Sequence, residues 1–329
     1  MLFLVVVLGA ALLLNLCLGE VRIGPAEALN LLFHPESVPE SLKDTGVLNV
    51  VWQVRLPRLL AAACVGAGLS VSGYLLQSLS RNYLADPYLV GVSSGAGLSV
   101  ALAMYFGVDF AILPAAALSG GLVASMLVAL MSRTTSGISI TRLLLAGIAL
   151  SAICGSLITL VLSSLASGGR MQGLVYWLAG SVSGRGWLEL RAASAYIAVS
   201  LLAAFALSKP LRILGLGSQA AASLGLNVPL MQWAILLTAV VLCGASVSLA
   251  GIVGFVGLIG PYLARSLFGR DERLHLFTAA CLGSILVLVS DLAARTVLPG
   301  QELPLGTLLS LIGAPFFLWL VVRHKGEGL

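Results

Sequence analysis

Charge is what this sequence has least of. Only 9% of its 329 residues are Asp, Glu, Lys or Arg, where a soluble domain uses about a quarter to cover its surface. The stretch from Ile213 to Ala264, 52 residues long, has none at all. The formal charge of +5 is scattered, with no basic block of the kind that grips nucleic acid. The five cysteines (Cys17, Cys64, Cys154, Cys243, Cys281) stand singly in apolar runs. Without a CxxC or Cys/His spacing they read as small packing residues, not as disulfide or metal ligands. No GxxxxGK[ST] loop is present, so the chain does not hold nucleotide phosphates by that device. "LSGGL" at 118–122 lies inside an apolar run and is taken as chance. His34, His275 and His324 are far apart, and no HExxH or Ser/His/Asp pattern occurs; no catalytic residue and no bound metal or cofactor is expected. Carboxylates are missing from the middle of every apolar run, with Asp291 the nearest case. Carriers driven by proton or sodium gradients usually place an ionisable group or an interrupted helix there. The energy for any transport therefore has to come from elsewhere.

What the chain has instead is oil. It is 59% hydrophobic with a mean hydropathy of +1.06. A bilayer core of ~30 Å needs ~20 apolar residues per helix. The charge-free runs are 1–19, 59–80, 87–108, 110–132, 143–169, 192–208, 213–264, 274–290 and 303–322. The run 213–264 has room for two spans and a connection, which makes ten helices in one transmembrane unit over 1–329. A membrane barrel would show alternating segments of ~10 residues, so the fold expected is all-α. The first run resembles a signal-peptide core but lacks a basic leader and a small-residue cleavage site, and is read as a span. With both termini in the cytoplasm, ten Lys/Arg fall inside and eight outside, the sense of the positive-inside rule. Two outer excursions stand out. In 20–55, Pro25 marks a helix start and Leu48–Val54 is expected along the interface, with Trp52 at headgroup depth. In 166–191, Tyr176, Trp177 and Trp187 suggest an interfacial helix.

Several short stretches carry possible function, each with a plainer reading beside it. "RNYLADPYLVGVSSGAG" follows the second run; Asn82 and Asp86 are turn and cap formers and Pro87 starts a helix. It is either a tight turn or a constriction with Asn82 and Leu84 facing a pore. "SRTTSGISITRLLLAG" crowds hydroxyls, including Ser139 and Thr141, which cap a helix or line a polar path. Arg55 and Arg58 in "VRLPRLL", and Arg295, are expected at the outer surface against the positive-inside trend. They contact either lipid phosphate or carboxylates of an external protein, which Arg pairs in a bidentate fork. Gly251, Gly254, Gly257 and Gly260 recur every third residue before Pro261, fitting close helix packing or a broken helix. Gly91 and Gly95 offer a similar packing site. Finally "GLGSQAAASLGLNVP", 215–229, is small and neutral between greasy flanks. Gly215 and Gly217 precede Ser218, a candidate N-cap, and Gly225 closes the stretch as a C-cap glycine. Such a helix, with Ala221 and Leu224 on it, has little charge to desolvate and suits burial against another protein.

These motifs together, from "RLPRLLAAACVGAGLSVSGYLLQ" through "TRLLLAGIALSA", "YWLAGS" and "AGIVGFVGLIGPYLAR" to "ELPLGTLLSLIGAPFFLWLV", resemble the permease subunits of ABC importers for iron–siderophore, haem and vitamin B12. The resemblance covers about 50–322. It implies a homodimer of ten-helix subunits in the bacterial inner membrane, in contact with lipid, with one path at the dimer axis. It implies two cytoplasmic ATPase subunits that use ATP and Mg, and a periplasmic binding protein. On the family pattern 215–228 docks the ATPase, Asn82, Leu84, Ser139 and Thr141 form the cytoplasmic gate, and Arg55, Arg58 and Arg295 meet the binding protein. Tyr83 stands where the family usually has Pro, and Tyr262 where it commonly has His. The rival readings are an ion-driven carrier and a non-transporting scaffold. The absent carboxylates weigh against the first, the gate turns and docking helix against the second.

Overall fold

A computed structural model describes residues 1–19, 23–33, 46–135, 137–165, 169–267, 271–298 and 301–323. His34, His324, residues 20–22 and 34–45 of the 20–55 excursion, and the tail beyond Arg323 lie outside these residues. The helices in chain order are α1 (Leu2–Cys17), α2 (Pro25–Phe33), α3 (Val47–Ser80), α4 (Val92–Tyr105), α5 (Leu113–Met131), α6 (Ile140–Ser164) and α7 (Gly169–Ala179). Then follow α8 (Trp187–Ala206), α9 (Ser208–Gly215), α10 (Ser218–Ser223), α11 (Val228–Ala250), α12 (Val256–Leu267), α13 (Glu272–Thr296) and α14 (Leu305–Arg323). Ten of them match the ten helices expected from the nine runs, with α11 and α12 both in 213–264; α2, α7, α9 and α10 are short connecting pieces. Six of the ten are long and apolar enough to cross a membrane, α1, α4 and α14 are shorter apolar helices, and α12 is a half-helix. Among the described residues the only strands are β1 (Arg133–Thr134) and β2 (Gly137–Ile138), an antiparallel pair.

The interior belongs to α3 and α11, whose apolar windows are 78% and 72% buried, against 11% for α6. Small residues let the backbones approach where no water-driven force pulls helices together. On α3, a Cβ at Gly66 would collide with the Gly283 carbonyl of α13, and one at Gly73 with the Gly257 carbonyl of α12. Gly95 of α4 meets Gly120 of α5 in the same way. Ser72 and Ser284 donate across helices to Ala239 O (2.6 Å) and Ala63 O (2.8 Å), so neither buried hydroxyl is left unpaired.

Of the two readings of the glycine series, the break is what the fold contains. α11 ends at Gly251 (φ +70°), and 251–255 is not helical before α12 begins. The freed backbone finds other partners, as it must away from water. The Tyr88 hydroxyl donates to Val253 O (2.9 Å) and accepts from Val253 N–H (3.0 Å), and Ala250 O accepts from Ser181 N–H (2.7 Å). Leu48–Val54 is continuous with α3 and is not a separate helix. It forms the first turns of α3, widened into a π-helix over Val50–Arg55 directly before Pro57, whose ring cannot sit in a regular α-turn. Trp52 still anchors this end, donating to Leu31 O (3.0 Å) while its carbonyl accepts from Trp187 Nε1 (2.8 Å).

Candidate functional site

Residues 208–228 form a compact element at one end of the bundle. Ser218 is not the N-cap: Gly217 occupies that position (φ +119°), Ser218 opens α10, and no side chain caps it. The C-terminal expectation is met closely. Gly225 (φ +82°) donates to Ala222 O (2.9 Å) and Leu226 to Ala221 O (3.0 Å), the paired bonds of a Schellman motif. Ala221 is fully buried beneath α10, so it cannot contact a partner as expected. The outward face is Ser218, Gln219, Ala220, Ala222 and Leu224, with Leu216 and Gly215 beside it. Leu216 and Leu224 are 68% and 64% exposed, large apolar side chains on a surface otherwise made of small or neutral polar ones. A direct test follows. Ala221→Arg should disrupt the element itself and lower thermal stability by about 1–3 kcal/mol. Ala222→Arg should leave stability unchanged and weaken the bound partner, measured by co-purification.

Two turns lie beside this element. In the first, Asn82 Oδ1 accepts from Leu84 N–H (2.8 Å) and Asp86 Oδ1 from Tyr88 N–H (2.8 Å), so both act as the turn and cap formers expected. Asn82 is exposed and Leu84 half-buried. In the second, the β1–β2 hairpin closes with Ser139 N–H on Ser132 O (3.0 Å), and Ser139 precedes α6 without a side-chain cap. Thr141 is exposed in the first turn of α6. Tyr83 has a definite place. Its ring lies 5.0 Å from the Arg265 guanidinium, which covers Tyr74 on another side at 4.3 Å, cation–π distances. Arg265 donates to Gln77 Oε1 and to Ser78 Oγ (3.2 Å), and Tyr74 donates to Glu272 and contacts His275 Nδ1 (3.0 Å). This polar knot of α3, α12 and α13 was not foreseen; Gln77 inside an otherwise apolar run was its signal. Tyr262 packs edge-on against Phe316 at 5.8 Å.

At the opposite end the three expected docking arginines converge, but inward. Arg58 is bidentate to Asp291 (Nη2–Oδ1 2.9 Å, Nε–Oδ2 3.2 Å) and donates to Glu302 (2.8 Å). Arg295 donates to Asn15 O and Oδ1 (both 2.8 Å) and stands 3.7 Å from Asp291. Arg55 donates to Leu16 O (2.6 Å). Arg55 and Arg58 are buried, so the expected outward presentation of these side chains is not found; they fasten α1, α3 and α13 together. The reason is Asp291, 2% exposed, which needs paired cations to be tolerated inside. Glu302 remains partly open. Burial pushes its carboxyl up, but hydrogen bonds and charge from Arg58 outweigh that and hold it below the usual range.

Between the two ends, α6 is exposed on two stripes, Ala152, Ser156, Thr159 and Ser163 on one and Ile153, Leu157 and Leu160 on the other. α7 and Pro304 border an open cleft of about 940 Å³ beside Met171, Gln172, Val175 and Tyr176. An all-helical bundle with a broken inner helix, paired turns at one end and a small-faced helix beside them has the build of a multi-span membrane permease. The chain belongs to the FecCD transport family, which matches residues 5–323. It is 37% identical to the hemin transport system permease protein HmuU of Yersinia pestis, over 96% of this chain and 94% of that one. It is also 37% identical to the vitamin B12 import system permease protein BtuC of Vibrio cholerae, over 95% and 92%. A solved metal-chelate type ABC transporter in an inward-facing conformation superposes with a TM-score of 0.85 at 31% identity, covering 98% of both chains.

Proposed function

We propose that this chain is the pore-forming half of an ATP-driven importer for a metal chelate, working as a homodimer in the bacterial inner membrane with both termini in the cytoplasm. The observation that carries the reading is α10, held out by a Schellman turn with Leu216 and Leu224 exposed beside two gate turns. A membrane-buried helix has no use for a projecting element of this kind; a docked ATPase does. Two cytoplasmic ATPase subunits bind ATP and Mg and close on each other, and the 208–228 elements carry that closure into the spans. Outside, a substrate-binding protein delivers cargo to the cleft along α7. With Arg55, Arg58 and Arg295 committed inside the chain, Glu302 and the exposed polar groups around that cleft are the surface left for it.

The wall a cargo would meet is hydroxyl-bearing and aliphatic. Ser156, Thr159 and Ser163 bond their own helix carbonyls three or four residues back, so they present low polarity without fixed charge. A large chelate slides past such a wall without being held. Ferric siderophore, haem and cobalamin are the candidate cargoes, in that order.

Uptake into proteoliposomes holding this chain with its ATPase and binding protein tests the reading. Ion gradients are collapsed with ionophores, ATP is enclosed, and each labelled chelate is offered separately. Accumulation of one of them is the expected result. Accumulation of none until a proton or sodium gradient is restored would replace the reading with a secondary carrier.

A further inference from the structure

The segment 208–232 is tied to both gate turns, one tie on each flank of α10. On the near flank, Arg81 Nη2 donates to the Leu214 carbonyl at 2.7 Å. Leu214 is in the last turn of α9; its carbonyl also accepts from Gly217 N–H (3.1 Å), and the negative end of the helix attracts a cation. Arg81 directly precedes Asn82. It holds a left-handed backbone (φ +52°) as the C-cap of α3, a conformation that costs a non-glycine residue roughly 1–2 kcal/mol. On the far flank, Gln232 of α11 accepts from Ile138 N–H at 2.9 Å through Oε1, and Ile138 directly precedes Ser139. Gly137 (φ +126°) lies so close to that carboxamide that a Cβ would strike it. A cavity of about 210 Å³ separates the pieces, with Ser78, Arg81, Ile138, Leu214, Ser218 and Gln232 on its walls. The docking element is therefore not packed solidly onto the gate turns but is bonded to each across a polar space.

We propose that Arg81 and Gln232 are the two positioning residues that couple the docking element to the gate, Arg81 acting on the Asn82–Leu84 turn and Gln232 on the Ser139–Thr141 turn. The proposal rests on the reading of 215–228 as the ATPase-docking segment. A displacement of α10 by its partner moves Leu214 on one side and the start of α11 on the other. Each link passes that displacement to one turn, so the two turns respond separately and both are needed for opening. Packing alone predicts no such separation, because a dent in a shared core disturbs both turns together.

The test uses the complete transporter in proteoliposomes, with single reporter cysteines Leu84→Cys or Thr141→Cys. The five native cysteines are buried or half-buried. Labelling by an impermeant maleimide is compared without nucleotide and with ATP plus vanadate. In parallel, Ala222→Cys is crosslinked to the ATPase. In the unaltered background both reporters should change rate with ATP. Arg81→Gln should abolish the change at Leu84→Cys and spare it at Thr141→Cys; Gln232→Leu should do the reverse. Each should lower transport per ATP hydrolysed by about tenfold, the scale of one lost charge-assisted or buried hydrogen bond, while Ala222→Cys still crosslinks. Arg81→Lys and Gln232→Glu, which keep a donor and an acceptor, should restore much of the response. If both reporters keep responding in both variants, the links do not transmit and the proposal is wrong. If Ala222→Cys fails to crosslink even in the unaltered background, the docking reading itself is wrong.

Discussion

Arg58→Ala is expected to cost about 3–5 kcal/mol, the loss that follows when one partner of a buried ion pair is removed, and to leave little folded protein. The variant strands Asp291, 2% exposed, leaving Arg295 at 3.7 Å as its ion-pair partner among the described residues. Arg58→Glu should be worse, since a third carboxylate would enter a space already holding Asp291 and Glu302. Thermal unfolding in detergent and the monodisperse yield measure this directly. The double variant Arg58→Met/Asp291→Leu provides the control, because replacing both charges with apolar side chains of similar size removes the desolvation penalty along with the attraction. It should recover most of the lost stability. If it does not, the pair does more than hold the fold, and a role for Arg58 toward an external protein regains its force. Any loss of binding-protein affinity in Arg58→Glu has to be read beside its folding. Glu302→Gln, which leaves the Arg58–Asp291 fork intact, is the cleaner probe of that surface.

The second large effect is expected where α3 crosses α13. Gly66 and Gly283 face each other so closely that a Cβ on either would fall on the other's carbonyl. A side chain can swing away from an intruding methyl; backbone held by helix hydrogen bonds cannot. Gly283→Val should therefore exceed the usual overpacking cost of about 1–3 kcal/mol and prevent α13 from seating. That would also pull apart the arginine cluster, whose Asp291 and Arg295 lie about two and three turns further along α13. The expected outcome is loss of monodisperse protein. Gly155→Ala, on the exposed side of α6 where nothing lies within 4 Å of an added Cβ, should fold normally. Normal folding of Gly283→Val would show that the two helices can separate without harm, and would remove the crossing as a fixed point for gate motion.

Both effects concern residues whose importance the sequence displays only in part. Ten helices follow from the apolar runs alone, because a bilayer of fixed thickness demands a fixed length of oil from any span. The short helix Ser218–Ser223 was legible for a related reason: a small, neutral piece bracketed by glycines inside 52 uncharged residues interrupts the oil of the spans on both sides. The break after Gly251 could be suspected from glycines at every third position. These are local properties, written in consecutive residues, and folding leaves them unchanged.

Direction and partnership are of another kind. Whether Ala221 or Ala222 faces outward depends on which side of a six-residue helix meets the bundle, and the two alanines are chemically identical. That Arg58 turns to Asp291, 233 positions away, rather than to solvent depends on α3 and α13 lying side by side, which no spacing in the chain announces. The same holds for Arg81 with Leu214 and Gln232 with Ile138. A charge or an amide declares in sequence that it needs a partner. Which partner it takes is decided only when helices far apart in the chain are packed together, because a buried polar group bonds to whatever the tertiary fold brings within 3 Å.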